Sequence, residues 1–103
     1  MNYPGGGQSS GSEDIVPSTL CITEMPTFLR RNTMIKFGVP RKGDITISLY
    51  DITGSRIESI RRENLIPGYY QEKIDTRNLS SGVYFIVLKQ DNEKVNKKFL
   101  LIK

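Results

Sequence analysis

Few side chains of this chain are suited to chemical catalysis, and they stand apart in the sequence. Two carboxylates can perform acid–base chemistry, as in glycoside hydrolysis, when a fold brings them together. The candidates, Asp51 and Asp75, both occupy turn positions where an aspartate typically accepts hydrogen bonds from the backbone. The chain has no histidine, so the commonest general base is missing and nothing activates its single cysteine, Cys21. We predict that the chain is not an enzyme.

The residue pattern predicts no metal and no cofactor. A structural zinc site takes four Cys or His ligands, and calcium requires a dense cluster of oxygen ligands. Residues 91–93 (Asp-Asn-Glu) are too few for such a cluster and are typical of a hairpin tip. The glycine run at residues 5–7 precedes neither a lysine nor a predicted helix, as a phosphate-binding loop would.

Length and composition indicate one domain with a modest core. The chain has 103 residues, of which 37% are hydrophobic and 25% charged, ordinary values for a globular protein. No apolar run approaches the ~20 residues of a membrane-spanning helix, and no signal peptide is visible at the N-terminus. Cys21 has no cysteine partner, so we expect a buried thiol, with an intermolecular bridge or a reactive group as alternatives.

Charge is distributed unevenly along the chain. The first 29 residues carry a net −3 from Glu13, Asp14 and Glu24, whereas residues 30–103 hold all fifteen Lys and Arg against eight acidic residues, a net +7. An acidic arm on a basic body could contact its own domain or a neighbouring one. The basic residues are scattered and adjacent pairs in a strand point to opposite faces, so we predict no nucleic-acid partner. Diffuse positive charge fits an anionic surface polysaccharide equally well.

The chain divides into an arm and a domain. Residues 1–18 are rich in Gly and Ser and predict a flexible or partner-held N-terminal arm or linker. Residues 19–103 predict the folded domain, whose first strand covers residues 19–23. If the arm contacts another molecule, the apolar residues available for that contact are Ile15, Val16, Leu20 and Ile22.

Alternation of apolar and polar residues predicts strands. Ile35, Phe37 and Val39 share one face of a strand, and the same period recurs at residues 45–49, followed by a short strand over residues 56–60. Turn residues separate these segments: Asp51, Gly54, Pro67 and Gly68. Short strands at near-regular spacing and no helical period predict an all-β fold, an immunoglobulin-like antiparallel β-sandwich of about seven strands.

Residues 78–88 organise the rest of the prediction. A tight corner leads through Gly82 into an uninterrupted apolar run, which predicts a central strand covered on both faces. Tyr84 has the position of a tyrosine corner, in which the phenol bonds back to the turn backbone; the alternative is an ordinary core residue. Asp75 is expected to cap backbone amides before the corner, and Leu79 completes it.

The chain from residue 33 onward resembles a known family. Its segments at residues 35–40, 45–54, 67–68, 78–85 and 98–103 are similar, in order and spacing, to the type A C-terminal sorting domain carried by cargo of the bacterial type IX secretion system. It also resembles the related immunoglobulin-like domain of flagellar hook-cap proteins. The resemblance covers about two-thirds of the chain, and residues 78–85 are its most specific segment.

The resemblance implies a non-catalytic module of a larger protein, exported through the periplasm to the bacterial cell surface or beyond. Its partner would be the outer-membrane secretion machinery, and its recognised element the closing strand. The terminal residues in that role are Lys98, Phe99, Leu100, Leu101, Ile102 and Lys103. An alternative from the residues themselves is an extracellular filament subunit, a homo-oligomer in which the arm lies along a neighbour's edge strand.

Overall fold

The computed structural model describes residues 16–26, 28–29 and 33–103. Within them the chain forms eight β-strands and no helix. In chain order they are β1 (Cys21–Glu24), β2 (Phe28–Leu29), β3 (Thr33–Val39), β4 (Gly43–Asp51), β5 (Arg56–Leu65), β6 (Gly68–Ile74), β7 (Gly82–Gln90) and β8 (Glu93–Leu101).

The strands form two sheets that pack as a sandwich. The smaller sheet has the order β1-β3-β6 and the larger one the order β2-β8-β7-β4-β5. Neighbouring strands are antiparallel except β2, which pairs in parallel with the end of β8. The predicted all-β, immunoglobulin-like sandwich is confirmed, and the two-residue β2 is added to the seven longer strands.

The core lies between the sheets, where the alternating positions of both converge. Ile35, Phe37 and Val39 are fully buried in β3, as the alternation predicts. Across the core, β4 contributes Ile45, Ile47 and Leu49, which are at most 3% exposed. The remaining buried apolar side chains flank β1 or belong to β6, β7 and β8: Leu20, Met25, Ile74, Tyr84, Ile86, Leu88, Phe99 and Leu101.

The expectation that residues 83–88 are covered on both faces is wrong. β7 is central, with β8 and β4 on either side. Tyr84, Ile86 and Leu88 are buried, but Val83, Phe85 and Val87 on the other face are only half-buried. The reason is that no third layer covers this face among the described residues.

Strand β5 is longer than predicted, running through residues 61–65 in addition to 56–60. Its charged second half lacks alternation but stays paired with β4, and its arginines form ion pairs. Arg62 donates two 2.8 Å hydrogen bonds to the carboxylate of Glu72 on β6, so this pair joins the edges of the two sheets. Arg61 donates a 2.6 Å hydrogen bond to Asp44 at the start of β4.

The first described residues already pack on the sandwich. Val16 is exposed, but Pro17 is buried, and a Cβ built on Gly38 would lie 2.7 Å from Pro17 Cγ. Only glycine at position 38 allows the proline to approach the backbone of β3 this closely. Cys21, expected to be buried, is partly exposed, with its Sγ 3.0 Å from the same built Cβ.

Replacement of Ile86 by alanine tests the central position of β7. Ile86 is 0% exposed, so its truncation leaves a cavity and lowers the free energy of unfolding by about 3 kcal/mol. The matched variant is Ile52→Ala, because Ile52 is 67% exposed and its loss changes stability by no more than about 0.5 kcal/mol. Urea denaturation of both variants measures the difference; equal midpoints would contradict the assigned core.

Candidate functional site: the corner and the terminal strand

The loop between β6 and β7 is closed by hydrogen bonds to its own backbone. Asp75 Oδ1 accepts a 3.0 Å hydrogen bond from the Arg77 amide, and the Leu79 amide donates to the carbonyl oxygen of Thr76 at 3.1 Å. Tyr84 Oη donates a 2.6 Å hydrogen bond to the carbonyl oxygen of Ser80, the geometry of a tyrosine corner. Gly82 is nearly extended, with φ 158°, so the turn itself lies upstream of it.

Asp75 also forms an ion pair with the Arg77 side chain. Arg77 Nη2 donates to Asp75 Oδ2 at 2.8 Å. Hydrogen bonding from this guanidinium and from the Arg77 amide lowers the pKa of Asp75 from 3.8 to about 2. The same pairing raises the pKa of Arg77. Asp75 therefore acts as a structural cap, which requires its ionised form.

The last residues of the chain lie against this corner. The Lys103 amide donates to Ser81 Oγ at 3.0 Å, and Lys103 Nζ donates to the carbonyl oxygen of Arg77 at 2.7 Å. Four residues earlier, the ring of Phe99 stacks on Tyr84 with a centroid distance of 5.6 Å. We call this arrangement of residues 75–84 with residues 98–103 the corner–terminus unit.

The predicted sorting residues divide between its inside and its surface. Phe99 and Leu101 are 1% and 0% exposed, so both belong to the core. Lys98 and Lys103 are exposed, Leu100 is 37% exposed, and Ile102 is half-buried. A partner can therefore touch the lysines and Leu100 directly, whereas Phe99 and Leu101 position them.

A second corner of the same construction precedes β6. Tyr70 Oη donates a 2.6 Å hydrogen bond to the carbonyl oxygen of Ile66, four residues upstream as in the first corner. Its ring stacks on Phe37 of the neighbouring strand at 5.9 Å, and Pro67 and Gly68 form the turn between. Sequence reasoning missed this corner, although Gly68 and Tyr70 repeat the spacing of Gly82 and Tyr84.

The turn after β4 has the geometry that its residues predict. Asp51 Oδ1 accepts hydrogen bonds from the Thr53 hydroxyl at 2.6 Å and from the amides of Thr53 and Ser55 at 3.0 Å. These bonds, the Thr53 hydroxyl above all, lower the pKa of Asp51. Gly54 has φ 87°, a conformation that glycine adopts without strain.

Two of the residues predicted for an arm contact are committed to the domain itself. Leu20 is 5% exposed in the core, and Ile22 packs against the core from β1, which pairs with β3. Their assignment to a neighbour's surface is corrected, because Leu20 is buried in the core and the partly exposed Ile22 packs against that core from β1. Val16 is 54% exposed, and Ile15 lies outside the described residues.

Chemistry-bearing groups remain dispersed in the described ranges. Across residues 16–26, 28–29 and 33–103, no three His, Cys, Asp or Glu side chains lie together as metal ligands would. In the same part of the chain, no helix combines the length and apolar character required to cross a membrane.

Comparison with known proteins identifies the family of the chain. Residues 30–103 match the family described as "Secretion system C-terminal sorting domain". The chain belongs to this family. The matched range contains the whole corner–terminus unit and six of the eight strands, β3 to β8, whereas β1 and β2 precede it.

A solved structure is similar over part of the chain. The match is to the crystal structure of Parabacteroides merdae beta-glucuronidase, with a TM-score of 0.44 and 21% sequence identity, over 69% of this chain and 12% of that chain. The chain therefore corresponds to a small part of that enzyme's length. The search of curated proteins returned no match.

Family membership identifies a sorting domain of the type IX secretion system, a family that is not enzymatic. Membership also implies export and a surface or extracellular location. The two segments that the sequence marks most clearly, the corner and the terminal residues, are in direct contact in the fold. The family's sequence pattern thus describes one structural unit.

Replacement of Tyr84 by phenylalanine tests the corner. The variant keeps the stacked ring but removes the bond to Ser80, which should lower the free energy of unfolding by about 1 kcal/mol. Tyr70→Phe removes the matching bond to Ile66 and should cost less, because Tyr70 is only half-buried. Urea denaturation measures both, and an unchanged midpoint for Tyr84→Phe would refute the role given to its hydroxyl.

Acid titration tests the cap at Asp75. Because folding lowers its pKa from 3.8 to about 2, the carboxylate stabilises the domain above pH 3.8, and this contribution disappears as the pH falls to about 2. Asp75→Asn should therefore be less stable at neutral pH and lose less stability over that acid range. Asp51 keeps part of the slope, since its pKa is also lowered. Identical acid slopes for the variant and the parent would contradict the cap.

Proposed function

We propose that the chain is the recognised export signal of a larger secreted protein, and that the corner–terminus unit presents the recognised residues. The observation that carries this proposal is the docking of Lys103 on the corner, at 3.0 Å to Ser81 and 2.7 Å to Arg77. It fixes the end of the terminal strand in one orientation. A fixed end loses little conformational entropy on binding, which favours recognition.

The partner in this proposal is the outer-membrane secretion machinery, which would read the exposed Lys98, Leu100 and Lys103. After export, the parent protein would be retained on the cell surface, where an anionic polysaccharide is the expected attachment partner. The relation to the immunoglobulin-like domain of flagellar hook-cap proteins stays a prediction. The proposal assigns the domain no catalytic step, because its role is to be bound.

Export of a fused reporter tests the proposal. A fluorescent protein joined to the N-terminus of the full chain should reach the medium or surface of a bacterium that has this secretion system. Removal of residues 94–103 should abolish export, but it also deletes β8 and so disturbs the fold. The sharper variant is Lys103→Ser, which keeps the strand and removes the bond to Arg77.

We expect Lys103→Ser to lower export at least fivefold with a cooperative unfolding transition retained. Lys73→Ser is its matched control, because Lys73 is an exposed lysine at the outer edge of the smaller sheet. Normal export of both the truncated chain and Lys103→Ser would overturn the proposed function.

A further inference from the structure

The outer face of the larger sheet carries apolar side chains at positions that are usually polar. In an antiparallel sheet with one face in the core, residues alternate between apolar inward and polar outward positions. In β7 the inward positions are Tyr84, Ile86 and Leu88, yet the outward Val83, Phe85 and Val87 are also apolar and only half-buried. This face is therefore more apolar than a solvated sheet requires.

Neighbouring strands extend the same patch. Leu100 of β8 lies directly opposite Val83 and is 37% exposed, and Tyr50 of β4 lies directly opposite Phe85. Residues opposite each other in a sheet point to the same face. We call these five outward side chains the outer patch: Tyr50, Val83, Phe85, Val87 and Leu100.

Positive charges surround the outer patch. Lys98 lies opposite Phe85 on one side, and Arg56 lies opposite Tyr50 on the other. Lys89 and Lys94 lie opposite each other at the end of β7 and β8. Within the described residues none of these four cations has an ion-pair partner, whereas Arg41, Arg61, Arg62 and Arg77 do.

This positive charge does not stabilise the fold. Two lysines directly opposite each other in adjacent strands repel and destabilise the sheet. A surface with an apolar centre and a charged rim has the anatomy of a protein–protein interface, and complementary charge on the partner would offset the repulsion. The occupant that fits is therefore an apolar surface with carboxylates at its margin.

The chain's own acidic segment cannot reach this patch. Pro17 lies against Gly38 of β3. The Gly38 position faces away from the core, on the side of the sandwich opposite the outer patch. Asp14 and Glu13 are three and four residues before Pro17, and an extended residue spans about 3.5 Å at most. Two sheets alone are about 10 Å apart, so the path around the sandwich is too long. Glu13 and Asp14 therefore do not supply the carboxylates, which come from outside these 103 residues.

We propose that the outer patch docks on an acidic protein surface of the secretion machinery, as a second contact besides the corner–terminus unit. This inference rests on the proposed function. The partner surface presents Asp or Glu side chains to the lysines and an apolar area to Phe85 and Leu100. The two contacts lie on the same sheet, because Leu100 belongs to the terminal strand and to the outer patch.

Charge reversal at Lys89 and Lys94 tests the inference with the same reporter fusion. The double variant Lys89→Glu/Lys94→Glu replaces one like-charge pair by another, so its stability should match the parent while its rim is negative. We expect export to fall at least tenfold. Lys89→Arg/Lys94→Arg keeps the charge and should export normally, as should Lys73→Glu on the other sheet. Normal export of the double Glu variant would overturn the proposal.

Photo-crosslinking identifies the class of occupant. A benzoylphenylalanine at position 85 should give one protein adduct in the exporting cell, identified by mass spectrometry as a component of the secretion machinery and absent from the Lys89→Glu/Lys94→Glu variant. An adduct of twice the chain's mass would make the occupant a second copy and refute the proposal. Lysine-dependent binding of the purified domain to phosphatidylglycerol vesicles or lipopolysaccharide, without a protein adduct, would refute it too.

The export assay distinguishes failure of the proposed sorting function from failure of the proposed docking surface. If truncation and Lys103→Ser block export but Lys89→Glu/Lys94→Glu does not, the sorting function stands and the docking face is wrong. If none of these variants affects export, the sorting function itself is wrong.

Discussion

The start of the central strand β7 depends on the hydrogen bond of the Tyr84 hydroxyl. Its ring must lie in the core, where it stacks on Phe99, yet its oxygen needs a hydrogen-bond partner because an unpaired buried polar group is costly. The carbonyl oxygen of Ser80, 2.6 Å away, supplies that partner. The bond fixes the loop that precedes β7, and this loop in turn holds Lys103.

Tyr70 forms the same kind of hydrogen bond to a turn, so a tyrosine joins a turn to the core in each of the two sheets. Both tyrosines stack on a phenylalanine of the adjacent strand, Phe37 in one sheet and Phe99 in the other. Burial also raises the pKa of Tyr70. The ion pair between Arg62 and Glu72 then connects the two sheets at their open edge.

The sequence allowed the core and the first corner to be predicted because both depend on local spacing. Ile35, Phe37 and Val39 alternate, and Tyr84 follows its turn at the required distance. The contact of Lys103 with Ser81 could not be predicted, since it depends on the register between β7 and β8. The apolar run of β7 predicts a strand covered on both faces, and the sequence does not reveal that one face is half-exposed, because an exposed apolar patch and a buried one have the same composition.

The short parallel pair between β2 and β8 has a mechanical consequence. Phe28 and Leu29 run alongside Leu100 and Leu101 in the same direction. Tension applied between the chain before Phe28 and the chain after Leu101 pulls these neighbours in opposite senses along their length. The hydrogen bonds between the two strands are then loaded in shear, so they break together rather than one at a time. A domain pulled by its two ends would therefore resist unfolding at this strand pair.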